Sequence, residues 1–460
     1  MTSTSVDVDE DETGAGGHGG TGFGRVRLYA PALIAATLIG AVTAYLVKVP
    51  CRTGAWNHFD QQFAKLCYSD IYPLYFQRQL ADPGLPYLDH RMEYPVVIGA
   101  FMKAVAFLVQ PVSDPIGRGL AFFDLTVPLL AACGVVAVLA TAYLSGRGHE
   151  REALIVAFSP AAILGAYINW DLLAVALTAL AMACWASRRP TWAGVLFGLA
   201  IATKFYPLVL LGPLFLLCLR SGRIRAFAVT TCAAVLTWLV VNLPVALAAP
   251  AGWAEFYTFS QERPADWGSI WFFLQMKGLL TASAGDQSGL NMLGTVTMAV
   301  ACVLIAVIAL TAPRRPRLPQ LMFLVLAAFL LTNKVWSPQY VLWLVPFVAL
   351  LRVPRWAMGL WQLAEVGYFV AIWWYLLRGI ADQTPEMLTQ SLHGIGENVY
   401  FAALLGRFGA VLLLCALVVW QIYRPERDPV RAEGADDPAG GELDGAPDRF
   451  ALRLRRHVRV

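Results

Sequence analysis

Residues 67–76 read CYSDIYPLYF and set one aspartate, Asp70, at the head of an aromatic run. A carboxylate among tyrosines needs a partner or a task, because burying an unpaired charge is expensive. As a general base such a group takes a proton from an attacking hydroxyl. Two structural readings stand beside that one: a helix cap, or an ion pair with Lys65. Two lysines occupy comparable places. Lys204 lies in TKFYP and Lys334 in NKVWSPQY, each just before a proline that interrupts a helical pattern. Snorkelling from a helix end accounts for one such lysine. Two of them, with Arg263 in FSQERPADW as a third cation, make a set able to neutralise a phosphate.

The other polar candidates have stronger structural explanations. Asp82 falls in the turn sequence ADPGLPY. Asp89, beside His90 and Arg91, reads as a solvated ion cluster. Asp60 and Glu93 are the remaining acids of the same loop. Asp171 in NWD either caps the following helix or accepts from a hydroxyl-rich ligand. Trp253, Tyr257, Trp267, Trp271 and Trp336 suit an interfacial belt, with stacking on a sugar face as the alternative. The chain has no P-loop, no GxGxxG nucleotide-binding fold, no HExxH and no GxSxG, so ATP coupling and zinc chemistry are not expected.

The elements that position these residues follow from composition. Of 460 residues 58% are hydrophobic and 14% charged, where a soluble domain carries roughly 25% charged residues. Many apolar runs approach the ~20 residues that cross a bilayer. The expected fold is therefore an all-α polytopic membrane protein. The net charge of +4 says little about partners, because topology places Lys and Arg in such chains; no nucleic-acid partner is expected.

Hydropathy places about twelve helices near 29–48, 120–145, 152–168, 171–187, 191–204, 206–220, 226–249, 288–311, 319–333, 338–352, 356–377 and 400–422. That arrangement puts every basic cluster, from Arg25 and Arg27 through Arg314, Arg315 and Arg317 to Arg424, on the cytoplasmic side. Residues 94–110 do not fit as a full crossing and read as a helix at the outer leaflet. The polar stretches 49–93, 169–171, 203–207, 250–287, 333–340 and 378–399 then all face outward, which predicts one extracytoplasmic cavity.

The domain reading is a cytoplasmic tail 1–24, a membrane domain 25–424 with a first outer loop 49–119, and a second cytoplasmic tail 425–460. Both tails are polar enough to be disordered. The eight cysteines show no metal spacing. Cys51 and Cys67 share the first polar loop, where a disulfide is allowed if that loop lies outside the cell.

The run YSDIYPLYF followed by PYLDHRMEYPVV resembles the first luminal loop of GT-C glycosyltransferases that use polyprenyl-phosphate sugars. TKFYPLVLLGPL and NKVWSPQYVLWLVP resemble two further segments of those enzymes, and the likeness is strongest to the bacterial mannosyltransferases of glycosyltransferase family 87. The resemblance implies a GT-C-like bundle and a catalytic acid at Asp70. It places substrate-binding residues at Glu93, Tyr94, Lys204, Tyr206, Lys334, Gln339 and Tyr340, and Asp171 and Arg263 join that set on their own chemistry. The eukaryotic relatives carry a second acid two residues on, where this chain has Tyr72. One carboxylate makes a bridging metal less favoured, since hard cations take several carboxylate oxygens. No cofactor is expected, with a divalent cation left open.

The implied reaction is an inverting transfer of a hexose, with mannose favoured, from a polyprenyl-phosphate donor to a glycolipid or glycan. It implies a multi-pass plasma-membrane enzyme, embedded among membrane lipids, with both termini inside and its active site outside. Transport or flipping of a lipid-linked saccharide is the alternative, and an inactive assembly partner a third.

Overall fold

In hydrocarbon a chain must satisfy its own backbone hydrogen bonds, and a helix does so within one segment. The computed structural model describes residues 22–280, 287–384 and 393–452. It is a helical bundle with no β-strand among the described residues. Six helices are long and apolar enough to cross a bilayer: Val26–Arg52, Pro115–Leu144, Ile224–Ala248, Ser288–Thr311, Arg355–Gln383 and Glu397–Tyr423.

The other six expected spans correspond to shorter pieces. Region 152–168 is broken by Pro160 into Leu154–Phe158 and Pro160–Gly165, with the Ser159 hydroxyl accepting from the Ala162 N–H to start the second piece. Asp171–Ala186, Pro190–Thr203, Leu211–Ser221, Leu318–Thr332 and Val341–Leu351 follow. At ~1.5 Å per residue those five rise only roughly 17–24 Å, short of a ~30 Å hydrocarbon core. Neighbouring helices shield them: every residue of Val341–Leu351 is buried. The helix expected at the outer leaflet is Val96–Leu108, too short to cross.

The short helices run between two chemically distinct ends. Asp171–Ala186 begins at the buried Asp171 and ends beside Gly440, which accepts from Trp185 Nε1 at 2.7 Å. Leu318–Thr332 begins next to Arg317 and ends at Asn333. Val341–Leu351 begins after Tyr340 and ends at Arg352. One end thus gathers the basic loops and the other gathers the loops with Asn169, Lys204 and Lys334.

The basic end corrects the expectation for residues 425–460. Residues 425–452 are not a free tail but a folded strap across that end. Asp428 is buried and pairs with buried Arg317 at 2.8 Å. Asp436 takes Arg315 at 2.9 Å, Asp448 takes Arg220 at 2.7 Å, and Asp437 accepts from the Leu318 N–H at 2.7 Å. Net polarity suggested disorder because three of these acids, Asp428, Asp436 and Asp448, pair with arginines some 110 to 230 positions earlier in the chain. The expectations for the acidic, Gly-rich start and the basic RLRRHVRV end fall on residues 1–21 and 453–460, outside the described residues, as do 385–392 of the expected outer loop 378–399.

Candidate active site

Asp70 is fixed from two directions. A disulfide joins Cys51, at the end of the first helix, to Cys67, with Cα atoms 5.6 Å apart. Lys48, buried on the same helix, donates to the Tyr68 carbonyl at 2.8 Å. From the other side the NWD turn receives the segment: Ser69 Oγ donates to the Tyr167 carbonyl at 2.7 Å, and the Asp70 N–H donates to the Ile168 carbonyl at 2.7 Å.

Asp70 precedes helix Ile71–Gln77, yet its side chain caps nothing. It accepts instead from Tyr68 Oη at 2.6 Å and from Asn169 Nδ2 at 3.0 Å. Asn169 also donates to Tyr94 Oη at 2.8 Å. Lys65 is elsewhere, bonded to Gln61 at 2.8 Å on the surface. Both structural readings of Asp70 therefore fail. Burial raises the Asp70 carboxyl above its ordinary range, and the two hydrogen bonds and Lys204 oppose that rise.

Asp70 opens on a cavity of about 850 Å³ lined also by Glu93, Tyr94, Lys204, Tyr206, Arg263, Asp266, Lys334, Gln339 and Tyr340. Eight of the nine expected substrate-binding residues thus meet in one space with Asp70. Lys204 leaves helix Pro190–Thr203 in an extended conformation and stands over the rings of Tyr94 and Tyr340, at 5.7 and 5.9 Å. Lys334 donates to the Gln261 carbonyl at 2.8 Å and to Asn291 Oδ1 at 2.6 Å, which leaves its third N–H without a partner among the described residues. Burial, and then Arg263, lower the Lys334 ammonium to about 8.

Asp171 is the exception and a correction. It does not line the cavity but lies buried, accepting from Trp343 Nε1 at 2.8 Å and pairing with Lys204 at 3.3 Å. In this arrangement it pairs with Lys204 and its side chain caps no helix. Glu93 lines the cavity with its carboxylate already engaged by Arg78 at 2.5 Å. Of the outer aromatics, Tyr257 and Trp267 line the cavity. Trp253 and Trp271 spend their N–H groups on Asn242 and on the Thr332 carbonyl. Trp336 is buried behind the cavity.

Sequence reasoning missed Tyr68, Asn169, Lys48 and Asp266. Tyr68 and Asn169 lie within the motifs already singled out, beside their acids, so adjacency was the available signal. Asp266, in RPAD, lines the cavity 3.7 Å from Arg263. Burial raises its carboxyl, against Arg263 and the backbone N–H groups of Gly268 and Trp336. Among the described residues, no group of three or more His, Cys, Asp and Glu is placed to share a metal ion.

The family model for glycosyltransferase family 87 matches residues 104–338, just over half of the chain. The chain belongs to this family. The match includes Lys204, Arg263 and Lys334, while Asp70 precedes it. Family 87 membership and six helices long and apolar enough to cross a bilayer together make the protein a multi-pass membrane member of that family. A comparison with curated proteins finds no match. Among solved structures the chain is similar to the archaeal oligosaccharyltransferase AglB from Archaeoglobus fulgidus, solved in complex with an inhibitory peptide and a dolichol-phosphate. Identity is 13% and the TM-score 0.33, over 92% of this chain and 56% of that one. The chain spans little more than half the length of that neighbour, and the overlap is too loose to carry an argument about the site.

Proposed function

We propose that this family 87 protein transfers a hexose, most simply mannose, from a polyprenyl-phosphate donor to a hydroxyl of a glycolipid or glycan on the extracytoplasmic side of the plasma membrane. The observation that carries the reading is the convergence of one buried carboxylate, Asp70, with three cations on a single large cavity. The acceptor oxygen attacks the anomeric carbon and its proton passes to Asp70. The bond from the anomeric carbon to the phosphate oxygen breaks, and the lipid phosphate leaves with the electron pair. A single displacement inverts that centre, and the leaving phosphate needs no proton, so no second acid is required.

The cations divide the work. Lys334 and Arg263, on adjoining loops, stabilise the charge developing on the phosphate. Lys204 is partly neutralised by Asp171 and acts on Asp70, keeping the base ionised against its burial. Asn169 and Tyr68 aim the carboxylate.

The loop disulfide supports the outward orientation, since such bonds persist in oxidising compartments. The basic loops at the opposite end support cytoplasmic termini. The test is incubation of purified protein with radiolabelled polyprenyl-phosphate mannose and a membrane lipid extract, with and without a chelator. Labelled product independent of chelation is expected. Movement of the intact donor across vesicles without sugar transfer would contradict the reading and favour a flippase.

A further inference from the structure

Behind the cavity, away from Asp70, lies a charged pair within the helical core. Arg407, on Glu397–Tyr423, is fully buried and bonded to buried Glu365 of Arg355–Gln383 at 2.8 Å. Ionisable groups at membrane depth are costly and mark function more often than stability. The remaining donors of Arg407 aim at one loop. Nη1 donates to the Trp336 carbonyl at 3.0 Å and Nη2 to the Ser337 carbonyl at 3.3 Å. Its guanidinium lies 4.0 Å from the Trp336 ring and 4.4 Å from the Tyr368 ring.

That loop carries Lys334, and a second loop rests on it. The Asp266 N–H donates to the Lys334 carbonyl at 2.8 Å. A Cβ at Gly268 would sit 2.0 Å from the Trp336 carbonyl oxygen, so only glycine permits this approach. Tyr400, on the same helix as Arg407, donates to the Trp267 carbonyl. The segments bearing Arg263 and Lys334 are thus stacked on one buried guanidinium.

We propose that the Arg407–Glu365 pair is a positioning brace for the phosphate site, setting where Lys334 and Arg263 meet the lipid phosphate without touching it. This inference rests on the reading of those two cations given above. Arginine suits the task because its planar fork serves two carbonyls and a carboxylate at once, which a lysine cannot reproduce.

The test uses binding of sugar-free polyprenyl phosphate to the full-length protein in detergent, with folding checked by melting temperature. Lys334→Ala, Arg407→Met and the double variant are compared with the parent. Each single change is expected to weaken binding about tenfold, and the double variant to fall well short of the roughly hundredfold that independent contacts would give, because part of the Arg407 effect acts through Lys334. Arg407→Lys is expected not to restore affinity. Normal binding by Lys334→Ala overturns the phosphate reading and the brace with it. Weakened binding by Lys334→Ala with normal or fully additive Arg407→Met overturns the brace alone. If Arg407→Met is not recovered folded, Glu365→Gln decides. A loss that shrinks in the Lys334→Ala background supports the brace, and unchanged affinity or a fully additive loss overturns it.

Discussion

The base and the phosphate cation titrate from opposite directions, and that sets the pH window of the reaction. As the proposed base, Asp70 works only when ionised. Burial raises its carboxyl above the ordinary range, so transfer falls as pH drops through that raised value, earlier than a solvated aspartate would give. As the proposed phosphate cation, Lys334 works only when protonated, and its ammonium is lowered to about 8, so transfer is expected to fall again as pH rises past about 8. A bell-shaped profile of transfer against pH is the expected measurement. In Lys334→Ala the alkaline limb near 8 is expected to vanish while the acid limb stays, with transfer lowered roughly ten- to a thousand-fold. An alkaline limb unchanged by Lys334→Ala would assign it to another group. Lys204→Ala should act on the other limb: with its cation gone, the acid limb moves to higher pH.

At the scale of elements, the site depends on segments pinned to one another. The Cys51–Cys67 bond, separated by 16 positions, ties the loop bearing Asp70 to the first helix. Replacing both cysteines with serine is expected to cost about 3 kcal/mol on a loop-entropy scale, read as a lower melting temperature. Gly268→Ala is expected to reduce transfer and polyprenyl phosphate binding together, since the new Cβ pushes the loop off the Trp336 carbonyl. Much of this placement was legible in the sequence. Prolines 207 and 338 marked the broken helices that turn Lys204 and Lys334 into the cavity, and the aromatic run after Asp70 marked a packed segment. Asp171 was misread because its partners, Lys204 and Trp343, are distant in sequence and only the bundle brings them together. Asp266 was missed because nothing in RPAD distinguishes a cavity-lining acid from a turn residue. Arg407 was missed because a lone arginine in an apolar run shows no partner until two helices are packed.

Across the whole molecule, the short helices are the more deeply buried ones, and the cavity that holds Asp70, Lys204 and Lys334 lies at their polar ends. Helices of 11 to 16 residues do not fill the bilayer thickness, and the space they leave is roofed by loops and lined by their polar ends. The charge bias of the loops read this two-ended plan correctly, but polarity alone hid the strap over the basic end. Asp428→Ala removes the carboxylate that faces buried Arg317 and is expected to cost about 3 kcal/mol or more, read as a lowered melting temperature with transfer per folded molecule unchanged. A membrane-impermeant thiol reagent is expected to reach single cysteines introduced in 53–66 or 78–92 from outside intact cells, and not those in 221–225 or 314–317. Labelling of the first set only after the membrane is opened would contradict an outer active site. The most direct measurement compares the parent protein, Asp70→Asn and Asp82→Asn at matched amounts for both donor binding and sugar transfer. The account predicts that Asp70→Asn binds the polyprenyl-phosphate sugar normally while transfer falls by about 10²–10⁴-fold, the scale of a lost general base, and that Asp82→Asn stays within a few-fold of the parent. Near-normal transfer by Asp70→Asn would contradict it.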